Sequence, residues 1–158
     1  MRLLEFLKAC RSSPPRGTFV AARLTPSSAH ELVTWMQRVG VESPVPLGDL
    51  HATILYDDEK GIPWQCQEYS PPLELDPETY RIDVLGKALV LRFENEKLRA
   101  RHEEGIRDYG AKWDYPSFKS HVTLSYHTGQ SSRDVDPPTF PLYLSHEYST
   151  PVNSDSCG

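Results

Sequence analysis

The stretch His121-Val122-Thr123-Leu124-Ser125-Tyr126-His127 alternates polar and apolar residues. Successive side chains of a strand face opposite ways, so His121, Thr123, Ser125 and His127 are expected on one face and Val122, Leu124 and Tyr126 on the other. The apolar face suits a core, and the polar face is left for chemistry. An earlier stretch, Leu50-His51-Ala52-Thr53-Ile54-Leu55-Tyr56, repeats the pattern and puts His51 and Thr53 on one face of a second strand. Six histidines and nine threonines in 158 residues give about a third of one His-x-Thr triplet by chance, so the second copy carries weight that one alone would not.

Working outward, the segments around each triplet also repeat. Gly17-Thr18-Phe19-Val20-Ala21-Ala22-Arg23-Leu24 leads through a helix and a loop to His51, as Gly86-Lys87-Ala88-Leu89-Val90-Leu91-Arg92-Phe93 leads to His121, with glycine-to-histidine separations of 34 and 35 residues. In the first half, Thr25-Pro26-Ser27-Ser28 starts a helix whose apolar residues Leu32, Val33, Trp35, Met36 and Val39 recur at helical spacing until Gly40. In the second, Asn95 caps a helix striped by Leu98, His102, Ile106 and Tyr109 that ends near Gly110. Tyr80 to Leu85 and Ala88 to Phe93 read as strands joined at Gly86-Lys87. Each half is a strand, a helix and a strand, and a pseudo-two-fold axis between the halves would bring both histidine strands to one central cleft.

The remaining segments connect or flank these halves. Residues 57 to 79, rich in proline and acidic side chains, read as a long connection with room for one irregular strand, and Pro141 to Tyr148 can add a last strand. Met1 to Cys10 reads as a short amphipathic helix broken by Ser12-Ser13-Pro14-Pro15-Arg16-Gly17. One domain is expected over 1–158, with a helix and linker over 1–16 and a disordered tail over 153–158.

Composition narrows the function classes. With 38% hydrophobic and 25% charged residues the chain can bury one core, and a net charge of −5 argues against a long electrostatic track for DNA or RNA while leaving room for a local anion pocket. Cys10, Cys66 and Cys157 form no C-x-x-C pair, so neither a disulfide framework nor a thiolate zinc site follows, and a reducing cytoplasm is the simplest home. No run approaches the length of a membrane span.

Paired His-x-Thr strands in a duplicated α/β (α+β) frame resemble the 2H phosphoesterase superfamily. More closely, Leu50 to Tyr56, Ala88 to Phe93, Arg101-His102, Tyr109-Gly110-Ala111, Asp114-Tyr115-Pro116, His121 to Tyr126 and His146-Glu147-Tyr148 resemble the phage anti-CBASS phosphodiesterases, a similarity that runs from about Gly17 to Tyr148. The resemblance implies the 2H fold, with two pseudo-two-fold lobes and a central cleft. It also implies hydrolysis of the cyclic di- and trinucleotides, cGAMP among them, that bacterial CBASS immunity uses as alarm signals, in the cytoplasm of the infected host. Which protein partners it has is left open.

The residue types support such chemistry independently. Cleaving a phosphodiester beside a ribose 2′-hydroxyl needs one group to take the hydroxyl proton and another to protonate the departing 5′-oxygen, and histidines titrate in the range that allows both. His51 and His121 are the candidate acid and base, in an order left open, and Thr53 and Thr123 the candidate donors to the phosphoryl oxygens. His127 reads as a surface histidine at a strand edge and His102 as a packed structural residue; His30 and His146 pair with nothing that suggests a metal. Neither metal nor cofactor is expected.

For the substrate's bases, Phe19, Trp64, Tyr69, Trp113 and Tyr115 are candidate stacking surfaces. In the phage branch an aromatic residue on the first strand sandwiches a base, and Phe19 matches that position, where the familiar residue is tyrosine. Glu147, in the matching His-Glu-Tyr run, is expected to accept a hydrogen bond from a base edge. Two other readings stand beside this one: an RNA-end 2′,3′-cyclic phosphodiesterase, and a module that binds nucleotides without cutting them.

Overall fold

A computed structural model describes residues 17–152 of the chain. The helix expected over 1–10, the linker up to residue 16 and the expected tail over 153–158 lie outside the described residues. The elements are β1 (Gly17–Leu24), α1 (Pro26–Val39), β2 (His51–Asp57), β3 (Glu68–Leu75), β4 (Arg81–Leu85), β5 (Ala88–Arg92), α2 (Glu96–Tyr109), β6 (His121–Ser125) and β7 (Leu142–Val152). The strands form one antiparallel sheet in the order β3-β7-β1-β2-β6-β5-β4.

The two halves are built alike. Each helix has 14 residues, opens on a side-chain cap from Thr25 or Asn95, and closes on a glycine in the left-handed region, Gly40 at φ 78° or Gly110 at φ 68°. A positive φ excludes most side chains at these ends, so the glycines stop the helices and turn the chain toward the histidine strands. Gly86, at φ 63°, turns the β4–β5 hairpin where it was expected. The long connection does contain an irregular strand: β3 loses register against β7 between Glu68 and Leu73, where Pro71 and Pro72 have no N–H to give.

Both helices pack on the same face of the sheet. Leu32, Trp35 and Met36 of α1 and Leu98 of α2 join Val20, Ala22, Ala52, Ile54, Leu91, Val122 and Leu124 in the core. A leucine buried as fully as Leu32 or Leu98 contributes about 1.5–3 kcal/mol, so this layer holds the sheet against its helices. The α2 stripe differs from expectation at one place. Ile106 is exposed, and Gly105 takes the inner position because a Cβ there would run into the Leu55 side chain. That close approach seats α2 directly on β2.

The alternation read along the histidine strands also needs correction. Val20 pairs with Leu55 and Ala21 with Thr53, so Ile54 is an extra residue; Leu89 pairs with Ser125 and Val90 with Thr123, so Leu124 is another. A bulge after each threonine reverses the faces beyond it. Ser125 is therefore buried rather than beside His121, and Tyr126 points out rather than into the core. Tyr56 is turned out in the same way. Each bulge carbonyl is satisfied from behind, Ile54 O by His102 Nδ1–H at 2.7 Å and Leu124 O by the Val45 amide at 2.8 Å.

Candidate active site

The lobes meet between the two motifs. The pairing of β2 with β6 is confined to Ala52 and Val122, the middle residues of the two His-x-Thr triplets. Antiparallel register then sets His51 opposite Thr123 and Thr53 opposite His121, and beyond this point the strands part. On the face away from the helices they open a cleft of about 740 Å³ lined by all four of these residues.

The two histidines are held identically. His51 Nδ1 lies 2.8 Å from Asp49 O and His121 Nδ1 lies 2.7 Å from Lys119 O. A carbonyl only accepts, so each Nδ1 carries the proton of the neutral ring, and Nε2 is the atom left to the cleft with a free lone pair. Burial lowers the pKa of both rings. For His51 the Asp49 carbonyl opposes that effect and the Arg23 charge adds to it. For His121 the Lys119 carbonyl opposes it, and the charges of His51 and Arg92 add to it. Burial and these charges thus favour the neutral form of both imidazoles.

Electrostatically the cleft is unlike the rest of the chain. Of 22 acidic residues in the sequence, none among the described residues lines it, whereas Lys119 does. Aromatic side chains supply much of the wall. Phe19 meets the His51 ring edge-on at 5.5 Å and also touches Tyr56 and Tyr148. Trp113 and Tyr115, 5.6 Å apart, stand on a lip between α2 and β6, and Tyr115 is 67% exposed. Phe118 anchors that lip by stacking on His102 at 4.0 Å. His102 thereby joins the lip, α2 and the β2 bulge, consistent with a packed structural residue.

Of the residues singled out in the sequence, the cleft gathers His51, Thr53, His121, Thr123, Phe19, Trp113 and Tyr115. It does not include Glu147. Glu147 lies behind the sheet, 4% exposed as a whole residue, and its carboxylate accepts hydrogen bonds from Arg101 Nε at 2.8 Å and Nη2 at 2.6 Å, Trp64 Nε1, the Tyr69 hydroxyl and the Gln67 amide. Burial alone would raise its pKa, but Arg101 and these donors together hold it below the ordinary carboxylate range. The expected base-edge contact is corrected for a physical reason: Glu147 pairs with Ala22 in register, so it shares the core-facing side of the sheet. Trp64 and Tyr69 are committed to the same buried cluster. His127 is exposed past the end of β6, while His146 bonds its neighbour Ser145.

Sequence reasoning missed Tyr56, Tyr126 and Lys119, all of which line the cleft. A signal for the tyrosines was present: both motifs read His-x-Thr-x-x-Tyr, and identical spacing at a five-residue offset breaks strict alternation.

Comparison with known proteins agrees with this architecture. The family model described as anti-CBASS protein Acb1 matches residues 16–157. The Acb1 of Salmonella phage S16 is 31% identical over 139 residues, covering 86% of this chain and 88% of its own. The Acb1 of Sphingomonas paeninsulae is 34% identical over 139 residues, covering 82% of this chain, which spans only 21% of that longer protein. Among solved structures, E. coli LigT complexed with 3′-AMP is similar in fold, with a TM-score of 0.56 at 16% identity over 88% of this chain and 96% of LigT. The duplicated sheet is thus that of the 2H phosphoesterases, and by sequence the chain belongs to the Acb1 family of anti-CBASS proteins.

Proposed function

We propose that this chain is a phosphodiesterase that cleaves the cyclic di- and trinucleotide signals of CBASS immunity inside the infected bacterium, with His51 and His121 as acid and base. The observation that carries the reading is the matched pair of rings. Each is pinned through Nδ1 to a backbone carbonyl, each offers Nε2 to one carboxylate-free cleft, and each stands across from the other motif's threonine. Such a site suits a single phosphate between two proton carriers.

In the first step, Nε2 of one neutral histidine takes the proton of the ribose 2′-hydroxyl, the 2′-oxygen bonds to phosphorus, and the bond from phosphorus to the 5′-oxygen breaks. The other histidine, protonated, gives its proton to that leaving oxygen. Thr53 and Thr123 donate to the non-bridging oxygens as negative charge grows on them. A 2′,3′-cyclic phosphate results. Water then attacks it with the roles exchanged: the second histidine takes a water proton, the first returns its proton to the departing 2′-oxygen, and a linear product with a terminal phosphate leaves. Phe19, Trp113 and Tyr115 offer faces for the bases, each stacked base being worth about 1–3 kcal/mol.

Product analysis tests the reading. The full chain, incubated with a 3′–5′ cyclic dinucleotide, is expected to yield a linear phosphate-terminated dinucleotide on chromatography, and His51→Ala and His121→Ala are each expected to remain folded yet yield none. Depletion of free ligand without products would mark a sequestering module instead. Turnover confined to RNA ends bearing a 2′,3′-cyclic phosphate would mark an RNA-end enzyme.

A further inference from the structure

The pseudo-two-fold relation that matches His51 to His121 fails in charge at one pair of positions. The carbonyls that anchor the two rings belong to residues two places earlier in each motif, and these are Asp49 on one side and Lys119 on the other. Lys119 lines the cleft and Asp49 does not. Arg23 and Arg92 stand in register beside His51 and His121, but Arg23 donates to the Gly48 carbonyl and lies over the Tyr148 ring, and Arg92 is paired with Asp83. Among the described residues that line the cleft the cation is therefore Lys119, on the His121 side beside the aromatic lip.

The backbone around Lys119 is well held. Its own carbonyl accepts the His121 Nδ1–H, Phe118 before it is stacked on His102, and the Ser120 carbonyl after it accepts the Phe93 amide. Nearby Lys112 is paired with Glu59 and Asp114, whereas Lys119 has no ion pair among the described residues. Two residues of chain span no more than about 7 Å, so the ammonium group can work beside the phosphate site without entering it.

A cyclic oligonucleotide brings more than one phosphate into the cleft. In the function proposed above the two histidines and two threonines serve one phosphate, and a second phosphate left against the aromatic wall of the cleft without a cation would be costly. Lysine suits that task, since it acts as a point charge and needs no planar, two-pronged geometry. We propose that Lys119 is the subsite for the second, uncut phosphate, so that the ligand lies with its uncleaved half toward the lip of residues 113–119. This assignment rests on the phosphodiesterase reading given above.

Steady-state kinetics on two substrates tests it. A 3′–5′ cyclic dinucleotide presents two phosphates, whereas a 2′,3′-cyclic mononucleotide presents one and enters at the second chemical step. For Lys119→Ala, the ratio of kcat/KM on the dinucleotide to that on the mononucleotide is expected to fall about tenfold, through KM, while Lys119→Arg keeps the ratio within about twofold. Added salt should erode the dinucleotide's advantage in the wild-type protein and much less in Lys119→Ala. An unchanged ratio in Lys119→Ala, whether from equal losses or from none, overturns the subsite. Wild-type protein that cuts the mononucleotide alone overturns the cyclic-oligonucleotide reading, and wild-type protein that cuts neither overturns the phosphodiesterase reading.

Discussion

At each histidine one backbone hydrogen bond decides which ring nitrogen meets the cleft. Nδ1 is occupied by the Asp49 or Lys119 carbonyl, so Nε2 alone meets the cleft, and burial depresses both rings from their ordinary value of 6.5. The sign of the pH effect follows. Near neutral pH both free rings are mainly unprotonated and the acid is the scarce form, so kcat/KM should rise as pH falls below 7, peak below 6.5, and drop once the base is protonated too. A pH–rate profile that climbs through pH 7–8 would contradict this. Bound phosphate favours the imidazolium, so the optimum of kcat should lie at higher pH than that of kcat/KM. Thr53→Ala and Thr123→Ala are each expected to lower kcat by about 10²–10³-fold, the usual loss of one donor to a developing oxyanion, as read from single-turnover rates. These four residues were legible because triplets of residue type survive in a sequence unaltered. Lys119 was not, because nothing in the sequence distinguishes a lysine beside a cleft from any solvated lysine.

Strands, helices and caps were largely legible, since periodicity and stop signals are local: Thr25, Gly40, Asn95, Gly110 and Gly86 act where expected. The bulges at Ile54 and Leu124 were not. An added residue in a ladder depends on what the neighbouring strand does, and only the repeated tyrosine offset hinted at it. Glu147 shows the cost of reading an element by motif alone, because the face of β7 it occupies is set by pairing with β1. With its side chain fully buried and Arg101's 7% exposed, the pair joins β7, α2 and the segment around Trp64. Glu147→Ala would strand the guanidinium and is expected to cost about 3–5 kcal/mol, measured by denaturant unfolding. Because the folded carboxyl titrates below its ordinary value, the pair's stabilisation is complete above that value and is lost as pH falls through the lower one. Unaltered stability together with weakened nucleotide binding would return Glu147 to base recognition.

On the scale of the whole molecule, duplication explains how two ordinary strand histidines come to face one space. The glycine-to-histidine spacing of 34 and 35 residues made the two halves legible, but the contact of Ala52 with Val122 emerges only when the halves assemble. That contact crosses the motifs, and the parting of the strands beyond it leaves the cleft. On the function proposed above, such a site acts on the substrate's own nucleophile. The measurement that tests the account most directly compares a 3′–5′ cyclic dinucleotide with its 2′-deoxy analogue, following binding by calorimetry and product ends by mass. Both should bind comparably, since charge and bases are the same; the ribose form should pass through a 2′,3′-cyclic end to a linear phosphate-terminated product, and the deoxy form should stay intact. Cleavage of the deoxy analogue at a similar rate would mean that water attacks phosphorus directly, contradicting the roles given to His51 and His121.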